Sequence, residues 1–339
     1  MNRLEDRIKA IEKLGNFFTD ISENNPLYDA FFKVLEQAQI QNGWFQKKSC
    51  LDAIRSWGEA LQTCKVSQWI DPYIIHENNS PKTIAIIMAG NIPLVGLHDL
   101  ISTWISGHKA MVKCSTQDSI LIPYIVSTDP LFQSLSNFSE GKLENFDAVI
   151  ATGSNNSARY FDYYFSKYPH IIRKNRNAIA VLNGEETQKD IEGLGRDILQ
   201  YYGLGCRNVS KLYVPRDFDL NIVFSGLFPH ANVLEMNKYA NNYDYNKAVY
   251  LMSEFDFLEN GFFILREHKA ISSPIATAHY EFYDDLNKLK KQLKDQQEDI
   301  QCIISNIDIE GCITFGDAQR PALWDYADRV DTMDFLLSL

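Results

Sequence analysis

Two short stretches, Ile84-Ala85-Ile86-Ile87-Met88 and Asp147-Ala148-Val149-Ile150-Ala151, are apolar at almost every position. A strand with one wet face alternates apolar and polar side chains; a strand without that alternation must be covered on both sides. Helical periodicity lies between such stretches, so the chain is bound to a parallel sheet wound with helices. Residues 83–88, 110–114 and 146–151 read as strands, and 94–105, 119–126 and 157–168 as helices. A second alternating region comes next. It has a strand at 177–182 and a helix at 188–202 with Ile191, Leu194, Ile198 and Tyr202 on one stripe. Further strands are expected at 212–215, 274–283 and 300–305, with helices at 220–227 and 245–253. Asn260-Gly261 is a hairpin signal, and Leu286, Leu289 and Leu293 form the apolar stripe of a Lys-rich helix.

Before residue 62 the pattern is helical throughout, with Leu4, Ile8 and Ile11 on one face, Pro26 opening a second helix and Ser49 placed as the N-cap of a third. Phe17, Phe31, Trp44 and Trp57 read as helix-packing core, with an acyl tunnel as the other use of such residues. At 339 residues and 45% hydrophobic content there is material for two cores. We divide the chain into 1–177, 178–314 and a tail, 315–339, whose apolar residues 333–337 would permit association of copies. A net charge of −11 argues against a nucleic-acid partner. Six scattered cysteines without C-x-x-C spacing, a charged beginning and no bilayer-length apolar run fit the reducing cytoplasm, with no membrane span and no metal site.

Ligands of a wound parallel sheet bind beyond the carboxyl ends of its strands. The loops leaving those ends contain Asn91, whose amide is a candidate oxyanion donor, Lys113 and Ser115, and Gly153-Ser154, which precedes a helix. Each also has a plainer use as a turn, surface or capping residue. Arg173, Lys174 and Arg176 are a candidate phosphate cluster or a solvated basic patch. His98, His108 and His279 stand in no recognisable relation to a nucleophile. Cys206 lies in Gly203-Leu204-Gly205-Cys206-Arg207, between the helix at 188–202 and the strand after it. It reads either as a small packing residue or as a thiol nucleophile approached over two glycines.

Taken together, Gly90-Asn91-Ile92-Pro93, Lys113-Cys114-Ser115, Ala151-Thr152-Gly153-Ser154, Gly205-Cys206 and Phe315-Gly316 follow the order of the aldehyde dehydrogenase superfamily. Within it the chain resembles the long-chain acyl-CoA reductases, over roughly residues 80 to 339, with 205–211 and 325–328 the most specific. The resemblance implies a Rossmann-like cofactor domain, an α/β catalytic domain and a cleft between them. It makes Cys206 the nucleophile and puts Asn91 and the Cys206 backbone N–H in the oxyanion hole. It also puts Lys113 and Ser115 along the adenosine ribose, and Gly153 and Ser154 beside the phosphates and nicotinamide. Thr116 stands where many NAD-preferring relatives carry a carboxylate, so its neutrality permits NADPH as well as NADH. The aligned position of the water-activating glutamate is Val181, with Glu185 and Glu186 nearby, and the ribose-gripping glutamate is missing before Ser273-Pro274, with Glu267 as a substitute. The resemblance therefore implies reduction of an acyl-CoA or acyl-carrier thioester to aldehyde; the alternatives are an aldehyde dehydrogenase producing free acid and a non-catalytic scaffold for an acylated partner.

Overall fold

In a computed structural model, which describes residues 3–77 and 80–339, the chain forms two units, 1–175 with 321–339, and 176–320. The first begins with four helices, α1 (Leu4–Asp20), α2 (Asp29–Gln41), α3 (Lys47–Ala60) and α4 (Thr63–Ile70). Ser49 is buried inside α3, which starts at Lys47, so the expected cap is a packing residue instead. The wound region continues as β1 (Thr83–Ile87), α5 (Leu97–Ile105), β2 (Lys109–Lys113), α6 (Leu121–Ser127), α7 (Pro130–Leu135), β3 (Ser136–Phe138), β4 (Ala148–Thr152), α8 (Asn155–Phe165) and β5 (His170–Arg173). All five strands are parallel, in the order β3-β2-β1-β4-β5. Ile84 and Ile86 face a core shared with the leading helices, while Ala85, Val149 and Ala151 face Phe161 and Phe165 of α8. Burial on both faces is the reason these strands lack alternation. Phe31 sits in the first of these cores with Phe17 edge-on at 5.8 Å, so the leading aromatics pack there.

The second unit contains β6 (Asn177–Val181), α9 (Gln188–Leu199), β7 (Val209–Pro215), α10 (Asn221–Leu227), α11 (Asn237–Met252), β8 (Leu258–Glu259), β9 (Ile264–Glu267), β10 (Thr277–Tyr283), α12 (Leu286–Asp295), β11 (Ile300–Ile304) and β12 (Cys312–Ile313). Its sheet runs β12-β11-β6-β7-β10-β9-β8, parallel except for β8, which pairs antiparallel with β9 beyond the Asn260-Gly261 turn. Helix α12 closes one face with Leu289 and Leu293 against Ile179, Val181 and Tyr213. On α9 and α10, Gly195 and Gly226 permit backbone contact; a Cβ on Gly195 would lie 2.0 Å from the Gly226 carbonyl oxygen.

The segment set apart as a tail divides at Pro321, and its remainder, including α13 (Thr332–Leu337), lies in the first unit. Met333 and Leu336 are fully buried in that unit's core. The Trp69 indole donates to the Tyr326 hydroxyl (2.7 Å), Tyr73 donates to Asp331 (2.6 Å), and the rings of half-buried His98 and buried His108 meet the carbonyls of Leu323 (2.8 Å) and Leu336 (2.9 Å). Arg173, a candidate phosphate ligand by sequence, is buried in an ion pair with Asp99 (2.6 Å) and donates to Thr332 (3.0 Å). Lys174 pairs with Asp162 and Arg176 donates to the Gln297 carbonyl, so the basic cluster is divided among three structural tasks. Among the described residues, no helix is long and apolar enough to cross a membrane, and no group of three or more side chains has metal-ligating geometry. Replacing Asp99 with Ala should strand a buried guanidinium and cost about 3–5 kcal/mol in urea unfolding.

Candidate active site

In the first unit, strand order places the topological switch between β1, whose crossover leads to β2, and β4, whose crossover leads to β5 on the other side. Loops diverge there, at the carboxyl ends where wound parallel sheets bind their ligands. Asn91, half-buried, is in the loop after β1, and Gly153 and Ser154 come directly after β4. Ser154 caps α8 by accepting the Ser157 N–H (3.2 Å), leaving the amino end of that helix exposed. A Cβ on Gly153 would meet Ser157 and Phe161, so this glycine is needed for a close turn.

Lys113 is the last residue of β2 and donates to the Gly141 carbonyl (2.9 Å); Ser115 and the exposed Thr116 come just after it. The loops after β1 and β2 touch. A Cβ on Gly90 would come within 2.7 Å of the Ser115 Cβ. The expected helix from residue 94 starts at Leu97 instead, because Leu94 takes φ 59° and donates its N–H to the buried Asp118 carboxylate (3.2 Å). Burial pushes the Asp118 carboxyl up to about 6 against the pull of its backbone donors.

In the second unit Cys206 is exposed on the turn between α9 and β7. The stripe predicts α9 to run to Tyr202, but the helix ends at Leu199, and Tyr201, Tyr202 and Gly203 beyond it have φ of 52°, 59° and 76°. Two consecutive left-handed tyrosines cost on the order of 1–2 kcal/mol each. They are held by Asn208, 2% exposed, whose amide donates to the carbonyls of Asp197 (3.1 Å), Ile198 (3.2 Å) and Gln200 (2.7 Å) while its oxygen accepts the Gly205 N–H (2.8 Å). Asp197 in turn accepts from the N–H groups of Gly316 (2.7 Å) and Ala318 (3.2 Å), and Arg207 donates to the Ala318 carbonyl (2.6 Å). Burial raises the Asp197 carboxyl to about 7. Beyond the turn, Lys211 is fully buried, paired with Glu281 (3.0 Å) and donating to the His268 carbonyl; Ser210 donates to the Ile271 carbonyl (2.8 Å). The His279 ring meets the Ala270 carbonyl (2.9 Å), and burial lowers its pKa to about 4, so it serves this segment as a structural residue.

Val181 and the glutamates singled out by the resemblance lie elsewhere. Strands β6 and β7 are parallel, with Ala178 opposite Val209 and Val181 opposite Tyr213. Cys206 therefore belongs to the amino end of this sheet and Val181 to its carboxyl end, about 13 Å of strand away at ~3.3 Å per residue. Exposed Glu185 lies past that far end, and Glu267 terminates β9, parallel to β10 and β7, at the same far end. Neither carboxylate stands beside Cys206. Asn208, Asp197 and Asp118 are not singled out by the sequence: Asp197 falls off the apolar stripe of α9, and its burial comes from tertiary packing.

The fold, a Rossmann-like unit and a second parallel α/β unit, is that of solved aldehyde dehydrogenases. No known family model matches the chain. Among solved structures it is similar to the indole-3-acetaldehyde dehydrogenase AldA of P. syringae in complex with NAD+ (TM-score 0.65, 12% identity, 94% of this chain and 75% of that one). It is also similar to an NADP-dependent enzyme of E. coli (TM-score 0.64, 11% identity, 90% and 73%). Among curated proteins it is similar to the long-chain acyl-protein thioester reductase of Aliivibrio fischeri, 22% identical over 230 residues, which are 60% of this chain and 47% of that protein. The chain thus spans about half the length of the curated relative it matches.

Asn208→Ala removes four hydrogen bonds from a buried turn and should lower stability by about 2–4 kcal/mol, measured by denaturant unfolding. For Asp118 the folded pKa is raised, so its contribution is complete below the unfolded value near 4 and is lost as pH rises through about 6. The stability of wild type relative to Asp118→Asn should therefore fall by up to about 3 kcal/mol between pH 4 and pH 7, and a flat difference across that range would contradict the assignment.

Proposed function

We propose that this chain is a nicotinamide-dependent reductase that converts an acyl thioester, acyl-CoA or an acyl-carrier thioester, to the aldehyde. The observation that supports the reading best is the exposed Cys206 on a turn fixed by a buried amide, with the aligned base position and both nearby glutamates at the opposite end of its sheet. A nucleophile whose turn is remote from Glu185 and Glu267 suits acyl exchange between thiols better than hydrolysis by either carboxylate. The similarity to an acyl-protein thioester reductase agrees with this substrate class.

In this reading the Cys206 thiolate attacks the thioester carbonyl and the Cys206 backbone N–H donates to the oxyanion; Asn91 keeps the role of oxyanion donor that the resemblance implies. The thiol of the donor leaves and an acyl-Cys206 thioester remains. The strand switch, the close turn at Gly153 and the exposed amino end of α8 capped by Ser154 fit a dinucleotide, with Lys113 and Ser115 along its ribose. The cofactor, NADPH or NADH, supplies hydride to the acyl carbon when bound. Thr116, exposed and uncharged, leaves room for a 2′-phosphate. The tetrahedral thiohemiacetal then collapses, Cys206 takes back its electron pair and aldehyde is released.

Intact-protein mass spectrometry after mixing with acyl-CoAs should show one acyl adduct on wild type, none on Cys206→Ala, and its loss on adding NADPH. Reductase activity retained by Cys206→Ala would reject the reading. Asn91→Ala should slow acylation roughly 10²–10³-fold while leaving NADPH binding within about twofold, read by stopped flow and fluorescence titration. Rapid NAD(P)+-dependent oxidation of aldehyde to free acid without CoA would favour a hydrolytic enzyme instead.

A further inference from the structure

We propose that Asp118 is a positioning residue which locks the Asn91 loop to the Ser115–Thr116 loop, so that the oxyanion amide and the cofactor-ribose turn are held as one piece. The inference rests on the roles proposed above for those two loops. The Asn91 loop leaves β1 and reaches α5 only through Leu94 at φ 59°, a conformation that costs a leucine free energy and needs an outside anchor. That anchor is the Asp118 carboxylate, whose Oδ2 accepts the Leu94 N–H (3.2 Å), while the Leu121 N–H at the start of α6 helps to draw its pKa down. Asp118 is itself tied to the second loop, because its own N–H donates to the Ser115 carbonyl (3.1 Å). Gly90 removes the last spacing between the loops: a Cβ there would lie 2.8 Å from the Ser115 hydroxyl and 3.0 Å from the Asp118 nitrogen.

The second loop is braced from behind by the leading helices. At the end of α2, Gln41 donates to the Thr116 carbonyl and to the Ser119 hydroxyl, both at 2.7 Å, and Asn42 just beyond donates to the Gln117 carbonyl (3.3 Å). This gives the helical lead-in a task that its sequence does not display. The titratable groups facing the Asp118 carboxyl are the thiols of Cys50 on α3 and Cys114 after β2, both pushed up to about 12 chiefly by burial. The groups that draw its pKa back down are the two backbone donors, Leu94 and Leu121, and its Oδ1 has no hydrogen-bond partner among the described residues. A carboxyl buried in this way, with its bonds directed at backbone N–H groups, is there for the shape of the loops it joins.

The test uses the full chain and two readouts. Asp118→Asn keeps an oxygen acceptor and Asp118→Ala does not. Hydrogen exchange followed by mass spectrometry should show peptides covering residues 89–97 exchanging at least tenfold faster in Asp118→Ala, near wild type in Asp118→Asn, and β4 unchanged in both. Acylation of Cys206 by acyl-CoA should fall at least tenfold in Asp118→Ala, with the NADPH dissociation constant raised several-fold, and recover in Asp118→Asn. Wild-type exchange in Asp118→Ala, or equal damage in both variants, would overturn the proposal. If wild type itself forms no acyl adduct, the reductase reading fails while the exchange comparison still decides the role of Asp118. Should Asp118→Ala not fold, Leu94→Gly combined with it relieves the left-handed residue: a folded double variant with fast exchange at 89–97 supports the lock, and slow exchange or no folding rejects it.

Discussion

A parallel strand buried on both faces has no side chain left over for chemistry, and this constraint shapes the molecule. Ile84 to Ile86 and Ala148 to Ala151 are wholly committed to two cores, so every polar group able to bind or react is displaced to the strand ends. The loops there inherit the problem of holding exact positions without sheet hydrogen bonds. They solve it with buried polar side chains aimed at backbone groups: Asp118 in the first unit, Asn208 and Asp197 in the second. Each is expensive to bury and each is offset by the bonds it makes.

The Cys206 turn shows how strain and anchoring are matched. Tyr201 and Tyr202 lie in a region of backbone space that disfavours them, shortly before the exposed thiol. Four hydrogen bonds from Asn208 tie the end of α9 to Gly205, and Asp197 extends the tie to residues 316–318. A flexible Gly-rich approach would have left the thiol mobile; a strained, over-determined one fixes it.

Much of the fold is legible in the sequence because it derives from periodicity. The strands at β1, β2, β4, β6 and β11 and the stripes of α9 and α12 fall where apolar spacing puts them. Strands as short as β3 and β12 carry too few residues to show a period. Helix ends depart from the periodic pattern where a long-range polar contact overrides local preference, as at Leu94 and Tyr201. The same holds for Arg173: its neighbours in sequence suggest a basic patch, and only tertiary structure reveals Asp99 and Thr332 as its partners. Candidate site residues are found by order along the chain, whereas the distance between Cys206 and Glu185 depends on strand direction, which sequence proximity conceals.

The first unit is assembled from two stretches with the whole second unit threaded between them in the chain. Trp69 and Tyr326, which bond directly, are 257 positions apart. Contacts of such separation carry the entropic cost of closing a long segment before they can form. The second unit is continuous and has no such debt, so it can condense on its own contacts while the first still lacks its aromatic and histidine fastening. Until that fastening is made, the apolar surface that Met333 and Leu336 cover has no lid, so the core of the first unit is complete only when residues 321–339 are in place.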